Sequence, residues 1–160
     1  ESYYGYNKAY PKGITLEHAY KYLNEYFGRE TLSEIEDTLI EWVRKFLKKN
    51  KGYKILAPWG VGHPFHFFVR ETLQSGFSDM YYYREFPHSY KRRSQEQVEE
   101  QKKDWYLERS VPVEEFADIK WKLASKFYRS QSGLLFYEQG YIKKNLPEEI
   151  WRRYDSDLPF

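Results

Sequence analysis

The chain has 160 residues, 26 basic against 24 acidic side chains for a formal net charge of +2, and 41% apolar content, which describes a folded chain of about one domain and excludes disorder. Both charge signs are interspersed, so no overall field points to nucleic acid or a membrane surface, and neither is expected as a partner. Cysteine is absent, which excludes disulfides, thiolate ligands and a thiol nucleophile and leaves histidine and carboxylates to hold any metal.

Residues 1–13 are aromatic and irregular, with Pro11 and Gly13, and helical spacing follows from Leu16 to Phe27, stopping before Gly28. Thr31 and Glu34 form a capping-box pattern ahead of a second helix, in which Leu32, Ile35, Leu39, Trp42, Val43, Phe46 and Leu47 recur up to the basic end Lys48-Lys49-Asn50. Lys51-Gly52 turns into an apolar strand over 53–57, Pro58 to Gly62 forms a loop, and helical spacing resumes from His66 to Gln74. Ser78 to Phe86 reads as a second, tyrosine-rich strand, leading into a charged linker from His88 to Glu96. A polar helix is expected over Gln97 to Arg109. Pro112 opens a long amphipathic helix carrying Val113, Phe116, Ile119, Leu123, Phe127 and Tyr128, which ends near Ser130-Gln131-Ser132-Gly133. A last helix is expected from Pro147, with Ile150, Trp151 and Tyr154 on one side.

Helix, strand, glycine loop, helix is α/β order, and the expected fold is a Rossmann-like open sheet with flanking helices, as a single domain over 1–160 or the C-terminal portion of a larger one. Only two strands are legible, whereas such a sheet normally has about five. Either weak strands are hidden, or the chain is part of a larger fold. Aromatic residues make up 21% of the chain, first to be read as core and amphipathic surface, although such rings also stack on sugars. No apolar run approaches the roughly 20 residues of a membrane span, and Glu1-Ser2-Tyr3-Tyr4 has no signal-peptide pattern. A cytoplasmic location is expected, while any targeting signal upstream of Glu1 would be outside this reading.

The segment Trp59-Gly60-Val61-Gly62-His63-Pro64-Phe65-His66 concentrates the chemistry. It follows an apolar strand, where open α/β sheets place their sites, and two imidazoles three residues apart fall on one side of a helical turn, within reach of one metal ion or one reacting group. A catalytic zinc takes three protein ligands and a water, so the pair alone is incomplete; an ordinary pair of histidines at a helix start is the competing reading.

Ile55 to Glu71, I-L-A-P-W-G-V-G-H-P-F-H-F-F-V-R-E, resembles the second conserved block of the PIG-L/LmbE-like zinc N-deacetylases, a glycine-rich turn, His-Pro-Asp-His and a helix. Tyr82-Tyr83-Arg84-Glu85-Phe86-Pro87 is similar to the family's strand ending in Tyr-Glu-x-x-Pro. Lys122 to Gln131, closing on Tyr128-Arg129-Ser130-Gln131, is similar to its helix ending Tyr-x-Ser-Gln. These blocks occur in order and cover most of residues 32–140. The resemblance implies that His66 is a zinc ligand, that His63 stands beside the substrate carbonyl to stabilise an oxyanion or protonate the leaving amine, and that Gln131 and Glu1 line the substrate pocket. It implies zinc as cofactor and an N-acetylated amino sugar, such as an N-acetylglucosamine conjugate, as substrate.

The departures are specific. The family's first block, His-Pro-Asp-Asp-x-Glu, which supplies the other ligands and the general base, is absent from these residues. Phe65 stands where the family has Asp, removing a carboxylate that could support an imidazole, and Arg84 replaces the usual Glu. The missing block and the missing strands suggest the C-terminal part of the family fold, so an N-terminal polypeptide completing the sheet and the site is an expected partner; a homo-oligomer is compatible with this reading. Two functions follow: a zinc-dependent hydrolase removing acetyl from an N-acetylated sugar, or a non-catalytic carbohydrate-binding or structural module of the same fold. Nucleic-acid binding through Lys91-Arg92-Arg93 and Lys102-Lys103 is weaker, because Glu and Gln break up the basic residues.

Overall fold

The computed structural model describes residues 16–61, 63–85, 88–90, 95–127 and 147–154. Helix α1, Leu16–Phe27, has the predicted bounds, and α2 runs Arg29–Lys49. Gly28 alone separates them, at φ 81, in the left-handed region that glycine enters without a steric cost. Its amide donates back to the Asn24 carbonyl at 2.9 Å and its own carbonyl accepts from the Leu32 amide at 3.2 Å, so one residue closes α1 and opens α2. The Thr31/Glu34 capping box therefore lies inside the first turn of α2 and does not mark its start; Gly28 is the N-cap, without a side-chain cap.

Strand β1 (Ile55–Pro58), helix α3 (Pro64–Gly76) and strand β2 (Met80–Tyr83) follow. The strands pair in parallel, Ile55 with Met80 through Pro58 with Tyr83, and α3 is their crossover, as parallel neighbours require. Helix α4, Gln95–Gln101, is shorter than expected. Two corrections come next. Residues expected to continue that helix form strand β3, Trp105–Val111, and the segment expected as a last helix forms strand β4, Glu148–Arg153. The sheet order is β1-β2-β4-β3, with β4 antiparallel to both neighbours.

Physical reasons for both misreadings are visible. Of the residues in β3 only Trp105 is buried, so the period-two alternation that betrays a strand is never written into its sequence. In β4, the polar segment Glu148-Glu149-Ile150-Trp151-Arg152-Arg153 is fixed by pairing: Trp151 sits opposite Tyr82 on one side and Leu107 on the other. Pro147 before it suits a strand start as well as a helix start. The described residues thus form an α/β fold with an open, mixed four-stranded sheet flanked by helices.

Three tryptophans centre the core. Trp59, just beyond β1, stacks on Trp151 with ring centroids 4.8 Å apart and meets Trp105 edge-on at 6.0 Å, while Tyr82 packs against Trp105 at 4.4 Å. Ala57, Val61, Leu73, Met80 and Val98 complete this cluster. Leu23 of α1, Leu32 of α2 and Phe68 of α3 form a second cluster that docks the helical hairpin onto α3. The helix expected from Pro112 begins instead with a 3-10 turn at Glu114–Phe116 and becomes α5 at Ala117–Phe127. Its apolar residues Phe116, Ile119 and Leu123 are exposed, so that stripe is not spent on this core. Its expected end near 130–133 lies outside the described residues. No helix among the described residues is long and apolar enough to cross a membrane.

Tyr20 joins α1 to α2 by donating to Glu36 Oε1 at 3.1 Å. Burial, and then the negative charge of Glu36, push its phenol well above the ordinary 10.0. The folded state therefore holds that proton more tightly than the unfolded chain, so stability present below pH 10.0 is lost as pH rises through the phenol range. The melting temperature is expected to fall less steeply above pH 10.0 in Tyr20→Phe than in the wild type; equal slopes would remove Tyr20 as the cause.

Candidate functional site

The site is assembled where β1 and β2 end side by side. Beyond Pro58 the ladder gains one bond, from the Trp59 amide to the Tyr83 carbonyl at 3.0 Å. The chain then turns at Gly60, φ 85, where a Cβ would lie 3.3 Å from the Arg70 guanidinium. Arg70, buried on α3, donates to the Trp59 carbonyl at 2.8 Å and to Glu71 Oε1 at 2.8 Å. Its charge is paired, and the loop is gripped from the helix that follows it.

His63 is the N-cap of α3. Its backbone is extended, φ −146, Pro64 occupies the first turn, and the imidazole Nδ1 accepts the Phe65 amide at 3.3 Å, in the manner of side chains that satisfy the free amides of a helix start. The His63 carbonyl accepts from the amides of His66 and Phe67 at 3.1 and 3.3 Å. This first turn puts the His66 ring beside the His63 ring, centroids 4.9 Å apart.

From the other strand, β2 runs into Arg84 and Glu85 and then a tight turn. The Ser89 amide and hydroxyl both donate to the Glu85 carbonyl, at 3.0 and 2.8 Å, folding the 3-10 turn His88–Tyr90 back over the strand end. That return brings His88 to 5.0 Å from His63 and 5.1 Å from His66, between ring centroids. Three imidazoles thus form a nearly equilateral cluster.

Beneath them lies Glu85, 1% exposed. Its Oε1 accepts the Gly60 amide and, at 3.2 Å, the Val61 amide, and lies 3.6 Å from His66 Nδ1. Among the described residues Glu85 Oε2 and His66 Nδ1 are buried without a hydrogen-bond partner. Arg84, also buried, pairs with Glu149 at 3.0 Å and reaches the Ser89 carbonyl at 3.4 Å and Gln95 Oε1 at 3.2 Å. Arg84 thereby ties the histidine turn to β4 and α4.

Of the residues singled out from sequence, His63 and His66 come together, while Glu1 and Gln131 lie outside the described residues. His88 and Glu85 were not singled out; the one available signal was that His88 is among only four histidines. Glu85, from the neighbouring strand, places a carboxylate oxygen 3.6 Å from His66 Nδ1. The Phe65 ring packs on His63 and Phe27, at 5.6 and 5.7 Å. Among the described residues no three His, Asp or Glu side chains are placed to hold one metal ion. The His66 imidazole, with its Nδ1 toward Glu85, fits one side of a cation site through its other nitrogen, and the described residues do not close it. Clefts of about 200 Å³ beside Gln74, Met80 and Arg152, and about 410 Å³ between α1 and α2, lie elsewhere.

Architecture and site together define an α/β protein with a histidine cluster and a buried carboxylate at the carboxyl end of a parallel strand pair. Compared with models of known protein families, with curated proteins and with solved structures, the chain matches none.

Proposed function

We propose that this chain carries part of the active site of a zinc-dependent hydrolase that removes the acetyl group from an N-acetylated amino sugar or glycoconjugate, within a Rossmann-like fold. The observation that carries the reading is the convergence of His63, His66 and His88 above the buried Glu85, at the end of the glycine loop. It adds to the ordered sequence blocks that resemble the PIG-L/LmbE-like deacetylases.

Bound zinc supplies a Lewis acid for the amide carbonyl and a water of lowered pKa. The chain's own residues do the rest that can be assigned. His66 provides one imidazole donor to the metal, and Glu85 supports it from behind. His63, held at the helix start with its Nδ1 occupied by the Phe65 amide, turns its other nitrogen toward the substrate, to donate to the carbonyl oxygen as negative charge develops and then to pass a proton to the leaving amine. The remaining metal donors and the general base come, in this proposal, from polypeptide beyond these residues. An exposed strip beside the edge strand β1 supports such a partner: Leu56 on the strand and the rings of Trp42, Phe46 and Tyr53, the first two stacked and Tyr53 edge-on to Phe46, with Trp42 and Tyr53 each 64% exposed.

The test is metal analysis, intact-mass detection of co-purifying chains and acetate release from N-acetylglucosamine derivatives, on natively purified protein. Stoichiometric zinc and acetate release are expected. His66→Ala is expected to lose both, whereas His63→Ala keeps zinc and slows the reaction by about 10²–10³-fold. Zinc and activity untouched by His66→Ala would overturn the assignment. Sugar binding with neither zinc nor hydrolysis would leave the non-catalytic carbohydrate-binding module as the function.

A further inference from the structure

We infer that the chain holds His63 and His66 in opposite tautomers, and that Glu85 is the residue that sets His66. The two rings are neighbours, 4.9 Å apart, but their Nδ1 atoms face partners of opposite character. At His63 the partner is the Phe65 backbone amide, 3.3 Å away, and an amide N–H can only donate. Nδ1 must therefore offer its lone pair, and in the neutral ring the proton sits on Nε2. At His66 the facing atom is Glu85 Oε1 at 3.6 Å, an oxygen already accepting from the Gly60 and Val61 amides. A lone pair aimed at that oxygen would be repelled in a site this buried. A proton on Nδ1 is attracted instead, and a small rotation of the ring closes the bond. Nε2 of His66 is then the unprotonated nitrogen.

The consequence is a division of labour written into backbone and strand pairing. His63 presents an N–H to the cluster and His66 presents a lone pair, one a donor to developing negative charge and the other a ligand or proton acceptor. This deepens the proposed hydrolase reading by assigning the positioning residue, but the tautomers themselves rest only on Phe65, Glu85 and the two rings. Glu85 also fixes the loop, since both loop amides end on the same carboxylate. It is placed by β2, while the rings it serves come from the loop and α3, so the parallel pairing of β1 with β2 sets the alignment.

The test is long-range proton–nitrogen correlation NMR of the imidazoles in the whole chain, treated with EDTA, at mildly alkaline pH. Wild-type protein is expected to show His63 protonated at Nε2 and His66 at Nδ1. In Glu85→Ala the oxygen that faces His66 Nδ1 is gone, so His66 is expected to shift toward the Nε2-protonated form and His63, held by the Phe65 amide, to stay unchanged. The same tautomer at both histidines in the wild type overturns the inference without any variant. An unchanged His66 in folded Glu85→Ala overturns the role of Glu85. If the tautomers are as stated and no zinc or deacetylation is found, the hydrolase reading fails and this inference stands.

Discussion

Trp59→Ala is expected to destabilise the protein by about 3–5 kcal/mol, the usual loss for truncating a buried large aromatic, and to lower the thermal midpoint by roughly 6–20 °C in a chain of this size. Trp59 is fully buried and is the ring on which the strands meet, stacked on Trp151 of β4 and edge-on to Trp105 of β3. The effect depends on volume and stacking, not on the indole N–H, because Nε1 is buried without a hydrogen-bond partner among the described residues. An unsatisfied buried donor costs about 1–3 kcal/mol, and phenylalanine removes it. Trp59→Phe should therefore lose less than half of what Trp59→Ala loses in urea or thermal melts followed by circular dichroism. Equal losses would show that the indole nitrogen matters after all.

Arg84→Ala is expected to cost a similar amount, about 3–5 kcal/mol, through a different mechanism. Its side chain is 7% exposed and that of Glu149 is 14% exposed, so deleting the guanidinium leaves a carboxylate in a poorly solvated place with, among the described residues, only the Trp151 indole, at 3.1 Å, still donating to it. Removing both charges together, as Arg84→Met with Glu149→Gln, keeps an acceptor for that indole and is expected to cost less than Arg84→Ala alone. Simple additivity in a double-mutant cycle would mean the two charges do not depend on each other. Because Arg84 also bonds the Ser89 carbonyl and Gln95, its loss should displace His88 as well.

The parts of this fold that were legible are those whose signal is local. The spacing of Leu16 to Phe27 gave a helix with the observed bounds, and the sequence from Tyr53 to Gln74 gave the order strand, loop, helix that carries the site. Parallel β1 was readable as an apolar run, and β2 as a tyrosine-rich one. The strands β3 and β4 were not, because what makes them strands is distant: Trp151 has its partners at Tyr82 and Leu107, and no window around Glu148–Arg153 contains either. The site divides in the same way. His63 and His66 lie on one helical turn and are visible together. His88 and Glu85 join them through a tight turn at Ser89 and a strand pairing, neither of which spacing in the sequence encodes.

Glycine-rich loops beside active sites often serve as lids, opened cheaply because their amides exchange protein partners for water. Here the Gly60 and Val61 amides end on a carboxylate that is itself almost wholly buried, and Arg70 holds the Trp59 carbonyl from behind. Opening this segment would strand a negative charge in a poorly solvated interior, a cost of several kcal/mol. Residues 59–61 are therefore held as a rigid wall beside the histidine cluster and do not act as a hinged lid.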